Sequence, residues 1–265
     1  MSKTSSLPAP RSLPFEARRL LKRVQTFAAA HALWEMDSRI LIAVSGGPDS
    51  VCLLDMLAFL SRKYAFSLGI AHVNYQLRGK SSAADERFVR DLALRYGIPC
   101  FIKRYPIGKP RDESALRDFR YAFFETLQKQ HRFDRLAIGH HMGDQAETLL
   151  MNLIRGTGPM GMAGMLPKHG SHIRPLLVID RAHVLRYVSA RSLEFRTDQS
   201  NTDTRYTRNR IRYELLPLLR DRFNPNITAT LARSAARFQD SLSSAVPPVR
   251  KNTSSKADRK PLSRH

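Results

Sequence analysis

The feature that most constrains this chain is a fourfold alternation of short apolar runs and helical patterns through its middle. Arg39–Val44 (Arg-Ile-Leu-Ile-Ala-Val) has the length and apolar character of a buried strand. A helical pattern follows over Asp49–Leu60, then a strand over Phe66–Val73 and a helix over Ser82–Tyr96. Ile98–Arg104 and Arg135–Gly139 read as further strands, with helices over Glu113–Gln130 and Gly143–Arg155. Strand and helix alternating through short links predict an α/β fold, a doubly wound parallel sheet with helices on both faces. Such sheets bind ligands beyond the carboxyl ends of their strands, so the chemistry is expected just after Val44, Val73, Arg104 and Gly139.

The flanks divide the chain into three parts. Residues 1–37 hold a Ser- and Pro-rich leader and an amphipathic helix over Phe15–Leu33, with Leu20, Leu21, Val24, Phe27 and Ala28 near one face. The leader is basic and carries one acid up to Arg23, as organelle transit peptides do. A surface helix packing in front of the first strand accounts better for a pattern that runs apolar right up to it. Residues 38–222 form the central domain. Residues 223–265 form a helical C-terminal extension, with a helix near Asn226–Leu242, and a basic tail from Pro247.

Composition narrows the function. Lys and Arg number 44 against 23 Asp and Glu, a formal charge of +21, which calls for a polyanionic partner. No apolar run reaches the roughly 18 residues that span a bilayer, which disfavours an integral membrane protein. The two cysteines, Cys52 and Cys100, form no CxxC, so a disulfide scaffold or zinc ribbon has little support.

The unusual residues fall at the expected strand ends. After Val44 comes Ser45-Gly46-Gly47-Pro48-Asp49-Ser50, where two glycines and a helix N-terminus can cradle phosphate through backbone N–H groups. It lacks the Lys of a Walker A loop and is not GxGxxG. A carboxylate beside such a cradle is repelled by phosphate unless a cation intervenes, so Asp49 is a candidate Mg²⁺ ligand. Arg78 and Lys80 follow the second strand. Arg117 and Arg120 share one face of the third helix, where they can clamp phosphate or stabilise developing charge. After Gly139, His140 and Asp144 are spaced i, i+4 and Asp144 and Glu147 i, i+3, suited to Mg²⁺ or to a cationic amine. Gly156–Met165 reads as a flexible loop. Arg205–Arg222 holds six arginines, with Arg208 and Arg212 on one helix face, suited to phosphate contacts.

Together these motifs resemble the N-type ATP pyrophosphatases, whose phosphate loop has the form SGGxDS, and among them the tRNA(Ile)-lysidine synthetases. The resemblance covers roughly Arg39 to Arg222. It adds His72-Val73-Asn74, Leu77-Arg78-Gly79, Arg155-Gly156-Thr157-Gly158, Arg174-Pro175-Leu176-Leu177, Asp198 with Ser200-Asn201, and Tyr206 with Arg208-Asn209 and Arg212. Tyr75 stands where family members often have His, and Gly143 where an Asp often precedes Asp144. Many members also carry further C-terminal domains.

The resemblance implies a cytoplasmic ligase that uses ATP and Mg²⁺. It would join L-lysine to C2 of the wobble cytidine in an isoleucine tRNA with a CAU anticodon, through an adenylated cytidine. Ser45–Ser50 would bind ATP, with Asp49, Arg117, Arg120, Asp144 and Glu147 as the catalytic set. Asp144 and Glu147 are also the lysine-binding candidates, their roles not separable. Arg78, Arg155, Arg205, Arg208 and Arg212 are the tRNA-binding candidates. The oligomeric state is left open, a homodimer included. The rivals are a related tRNA-thiolating enzyme, which needs accessible cysteines, and a non-catalytic basic RNA-binding protein.

Overall fold

The computed structural model describes residues 13–77, 79–110, 112–196 and 207–245. Arg78, Arg205, Asp198, Ser200, Asn201, Tyr206 and the basic tail lie outside the described residues.

Four strands and four helices stand where the alternation predicts them. They are β1 (Arg39–Ala43), α2 (Pro48–Tyr64), β2 (Ser67–Asn74), α3 (Lys80–Tyr96), β3 (Cys100–Arg104), α4 (Glu113–His131), β4 (Arg135–Ala137) and α5 (Met142–Ile154), preceded by α1 (Phe15–Ala30). A short helix α6 (Pro159–Met162) and two-residue strands β5 (Lys168–His169) and β6 (His172–Ile173) follow, then α7 (Arg181–Ala190). The C-terminal part is helical: α8 (Thr207–Arg210), α9 (Leu216–Arg222) and α10 (Ile227–Ala245). A π-helical turn over Ile211–Leu215 joins α8 to α9 just before Pro217, whose ring would clash with the Tyr213 carbonyl in a regular helix.

The sheet has six strands in the order β3-β2-β1-β4-β6-β5, all pairs parallel except β5 with β6. β5 and β6 are too short for any periodicity to announce them. Strand β1 shows why both faces carry helices. Its Ile40 and Ile42 pack with α1, α2 and α7, whereas Leu41 packs with Phe123, Phe124 and Leu127 of α4. The chain winds from β1 outward to β3, then returns under α4 to β4 on the other side of β1. That reversal opens a crevice between the ends of β1 and β4.

Helix α1 joins the same core through Ala17, Leu20, Leu21, Val24 and Ala28. A separate patch, Ala146 and Leu150 of α5 with Ile211 and Leu216, seats the C-terminal helices on α5. The loop Gly156–Met165, expected to be flexible, is instead tied to α5. Gln145 Oε1 accepts from Met165 N at 2.7 Å, and Asn152 Nδ2 donates to Gly161 O at 2.7 Å.

Two buried acids fix the helices around the crevice. Asp55 of α2, 0% exposed, accepts from Tyr96 Oη (2.7 Å), Tyr187 Oη (2.7 Å) and Arg191 Nε and Nη2 (3.1 and 3.2 Å). Glu86 of α3 accepts from Arg104 (2.9 and 3.0 Å), Asn74 (2.9 Å) and Arg90 (3.1 Å). The Arg104 bonds, helped by those from Asn74 and Arg90 and opposed by burial, hold its carboxyl down at about 2 against an ordinary 4.5.

Replacing Asp55 by Ala strands the Arg191 guanidinium and should cost about 3–5 kcal/mol in urea unfolding, against about 1 kcal/mol for Tyr96→Phe. Glu86 has a depressed pKa, so its contribution is complete above pH 4.5 and disappears as pH falls toward 2. Glu86→Gln should therefore flatten that part of the acid limb of a stability–pH curve.

Candidate active site at the crevice between the first and fourth strands

The loop after β1 is shaped by its own hydroxyls. Ser50 Oγ accepts from the backbone N–H groups of Ser45 and Gly46, each at 3.2 Å, and donates to Gly47 O at 2.9 Å. Ser45 Oγ accepts from Gly47 N at 3.3 Å. Gly46 has φ +94°, a conformation that a side chain would strain. Gly139, at the end of β4, lies so close to α2 that a Cβ there would stand 3.2 Å from the Asp49 carbonyl group. The first turn of α2 is thus wedged against the neighbouring strand end, with its N-terminus facing the crevice.

A cavity of about 280 Å³ occupies that crevice. Its walls include Ser45, Asp49 and Ser50 of the loop, with Arg120, His140, Asp144, Arg181 and Arg212 around them. The elements that converge are those the alternation predicted, plus α7 and the C-terminal helical segment.

Asp49 has two unlike oxygens. Oδ2 receives the guanidinium of Arg181. Oδ1 is buried without a hydrogen-bond partner, 3.8 Å from His141 Nε2. His141 caps α5: its Nδ1 accepts from Gly143 N (3.0 Å) and Asp144 N (3.3 Å), which leaves the proton on Nε2. Asp144 Oδ2 closes the capping box by accepting from His141 N at 2.9 Å.

The two histidines singled out in the sequence differ in place. His140 lines the cavity and stands 3.3 Å from the donating Arg174 Nε, and burial pushes its pKa down to about 3, so it is neutral. His72 lies on β2 beside β1, where its Nδ1 donates to Val44 O at 2.8 Å and burial lowers its pKa. Arg120 lines the cavity with Tyr75 and stands over the Tyr121 ring, 5.4 Å from its centre. Arg117 stacks on the cavity-lining Tyr121, 5.1 Å from its ring centre. Arg155 is exposed at the far end of α5, about 20 Å along the helix from His141.

The largest departure from expectation joins two separate sets. Asp144 and Glu147, expected to stand open to a ligand, are 7% and 2% exposed. Arg208 and Arg212, expected to reach phosphates, bind them. Arg208 bonds Glu147 at 2.8 Å and Asp144 at 3.0 Å; Arg212 bonds Glu147 at 2.6 and 2.9 Å and Asp144 at 2.9 Å. Burial opposes ionisation of Asp144, yet the Arg208 guanidinium and the bond from the His141 backbone N–H hold its pKa below the ordinary range. The physical reason is solvation: carboxylates this buried need counter-charges, and the turn-spaced pair Arg208/Arg212 matches the turn-spaced pair Asp144/Glu147. That matched spacing was the available sequence signal. Arg174 and His141 belong to the matching motifs without a role drawn from them, and Arg181 stands outside every motif. Arg181 follows Asp180, the α7 N-cap that accepts from His183 N at 2.7 Å, so a helix-start signal preceded it.

Among the described residues no group of three or more His, Cys, Asp and Glu is arranged to hold a metal. One Mg²⁺ held by a single carboxylate and substrate phosphates needs no such group, and the partnerless Asp49 Oδ1 suits that donor set.

Residues 17–219 match the PP-loop domain family. The chain belongs to that family. Curated relatives include a tRNA(Ile)-lysidine synthase of Geobacter sulfurreducens, 43% identical over 230 residues, covering 83% of this chain and 48% of the relative. Another, from Clostridium perfringens strain 13, is 40% identical over 221 residues, covering 81% and 47%. This PP-loop chain thus spans about half the length of these relatives. Among solved structures, the U34-tRNA thiolase NcsA of Methanococcus maripaludis aligns with TM-score 0.64 and 20% identity, over 85% of this chain and 79% of that one. That likeness establishes the fold.

The paired carboxylates give a testable consequence. Arg212→Met leaves the buried Glu147 with Arg208 alone, and should lower stability by about 3 kcal/mol or more. Hydrogen exchange should quicken first in residues 207–245, which pack on α5.

Proposed function

We propose that this chain carries the catalytic unit of a tRNA(Ile)-lysidine synthetase, acting in the cytoplasm on an isoleucine tRNA with a CAU anticodon. The observation that carries the reading is one cavity shared by an SGGxDS loop, the Asp144–Arg212 ion pair and Arg120, in a chain 40–43% identical to proteins of that name.

The cytosine C2 oxygen is a poor leaving group. Its attack on the α-phosphorus of ATP forms an adenylated cytidine and releases pyrophosphate. The ε-amine of L-lysine then attacks C2, the C2–O bond breaks, and AMP leaves with that oxygen. The N–H groups of Asp49 and Ser50 at the N-terminus of α2 hold the pyrophosphate portion, and the Ser45 and Ser50 hydroxyls keep the loop before them in shape. Asp49 would hold Mg²⁺ through Oδ1, and the ion would neutralise charge on the polyphosphate. Arg120, at the cavity wall, faces the charge that develops at the α-phosphate, and Arg117 braces the same wall through Tyr121. Asp144 and Arg212 stand side by side at the cavity with opposite charges, the match for a zwitterionic amino acid; Glu147 holds Arg212 in place. The net charge of +21 and the exposed Arg155 favour docking of the polyanionic tRNA, with Arg78 and Arg205 as further candidates.

Sulfur transfer through a cysteine of this chain has less support. Cys52 is fully buried, and burial, with Asp55 and Asp49 adding, pushes its thiol pKa well up.

The test is ATP-dependent incorporation of labelled L-lysine into a CAU-anticodon isoleucine tRNA transcript. Acid-stable label is expected, abolished by EDTA and lowered on the order of a hundredfold or more by Asp49→Ala. ATP cleavage stimulated by tRNA without lysine incorporation would refute the lysine step. Binding of tRNA with no ATP cleavage would favour a non-catalytic RNA-binding protein.

A further inference from the structure

Arg181 occupies a commanding place at the crevice. It is the first residue of α7, and its guanidinium bonds Asp49 Oδ2 inside the cavity that Ser45, Arg120 and Arg212 also line. Its side chain is 49% exposed, so the head group is free to swing. The helix beneath it is not free. Tyr187 and Arg191, further along α7, bond Asp55 of α2. Residue 49 thus meets 181, and residue 55 meets 187 about 9 Å further in. The two helices therefore run in the same direction, and both begin at the cavity, α7 behind the capping carboxylate of Asp180. A long, movable cation stands on a rigid base, at the place where the dipole of α2 favours an anion.

Electrostatics gives that cation two partners. A polyphosphate entering the Ser45–Ser50 loop is repelled by the Asp49 carboxylate unless a cation covers it. Arg181 covers one oxygen, and the other, Oδ1, is the partnerless one. A divalent cation arriving with ATP competes with Arg181 for this one carboxylate. Released from Asp49, the guanidinium has polyphosphate oxygens within the same cavity, and guanidinium–phosphate bonds are charge-assisted and bidentate.

We propose that Arg181 is an ATP-contacting residue with two positions. It neutralises Asp49 before ATP binds, and moves to the β- and γ-phosphates, the future pyrophosphate, when ATP binds with its divalent cation. The proposal rests on the ATP reading above. It makes Arg181 a competitor of the metal and an ally of the nucleotide, a combination that a purely structural arginine does not have.

The experiment is calorimetric binding of the non-hydrolysable analogue α,β-methylene-ATP to the full chain across a Mg²⁺ series, for the wild type, Arg181→Ala and Arg181→Lys. At saturating Mg²⁺ the Ala variant should bind the analogue about ten- to a hundredfold more weakly, with the Lys variant between. The Mg²⁺ concentration for half-maximal binding, with the analogue set at each variant's own Kd, should fall several-fold in Arg181→Ala. The urea unfolding midpoint should stay unchanged. If Arg181→Ala binds the analogue as the wild type does, the proposal is overturned. It is overturned equally if binding weakens while the Mg²⁺ requirement stays the same or rises. If the wild type itself binds no analogue at any Mg²⁺ concentration, the ATP reading fails, and the proposal with it.

Discussion

The carboxylate of Asp55 is the contact on which the arrangement of the site depends. It sits out of reach of water and takes hydrogen bonds from Tyr96 of α3, Tyr187 of α7 and Arg191 just beyond α7. A buried charge has little freedom to rearrange, because losing one donor exposes the remainder of its desolvation cost. Three helical segments are therefore set relative to one another at this point. Two of them, α2 and α7, begin at the cavity, one with the glycine-rich loop and the other with Arg181. The position of a phosphate cradle is thus decided about two helical turns below it, by a residue that touches no ligand.

The same solution recurs around the crevice. Glu86 takes Arg104 and Arg90, Asp85 takes Arg196, and Asp144 with Glu147 takes Arg208 and Arg212. A chain with a formal charge of +21 holds five acids buried among the described residues, Asp55 included, each bonded to arginine. Part of the basic excess is therefore structural, and the remainder is what a polyanion meets. The Arg208/Arg212 set also explains how the C-terminal helices belong to the site. Apolar packing of Ile211 and Leu216 on α5 seats them, and the ion pairs fix their rotation.

Legibility in the sequence followed the range of the interactions. The apolar run at Arg39–Val44 and the SGGPDS turn are local signals, and both stood where the periodicity put them. Asp49, just after β1, and Arg120, on the face of α4 turned to the crevice, both line the cavity. Residues whose partners lie far along the chain were read in pieces. In sequence Asp144 and Glu147 are acids spaced for a ligand, and Arg208 and Arg212 bases spaced for phosphate; 61 to 68 residues separate the pairs that bond directly. Arg181 carries no local signal, because its partner, Asp49, lies 132 residues away and its own neighbourhood reads as an ordinary helix start. The glycines of Gly156–Met165 predict a flexible loop; two amide side chains on α5, invisible to composition, tie it down.

By itself, the sequence determined the alternation of strand and helix, the two-faced sheet, the phosphate loop and the strong positive charge. Each of these is written in residues close together, through side-chain period, backbone freedom at glycine or simple addition of charges. Only the tertiary structure decided which acids remain open, which arginines are occupied and which oxygen of Asp49 lacks a partner. Those outcomes turn on desolvation, and a group loses its water only when the rest of the chain has closed over it.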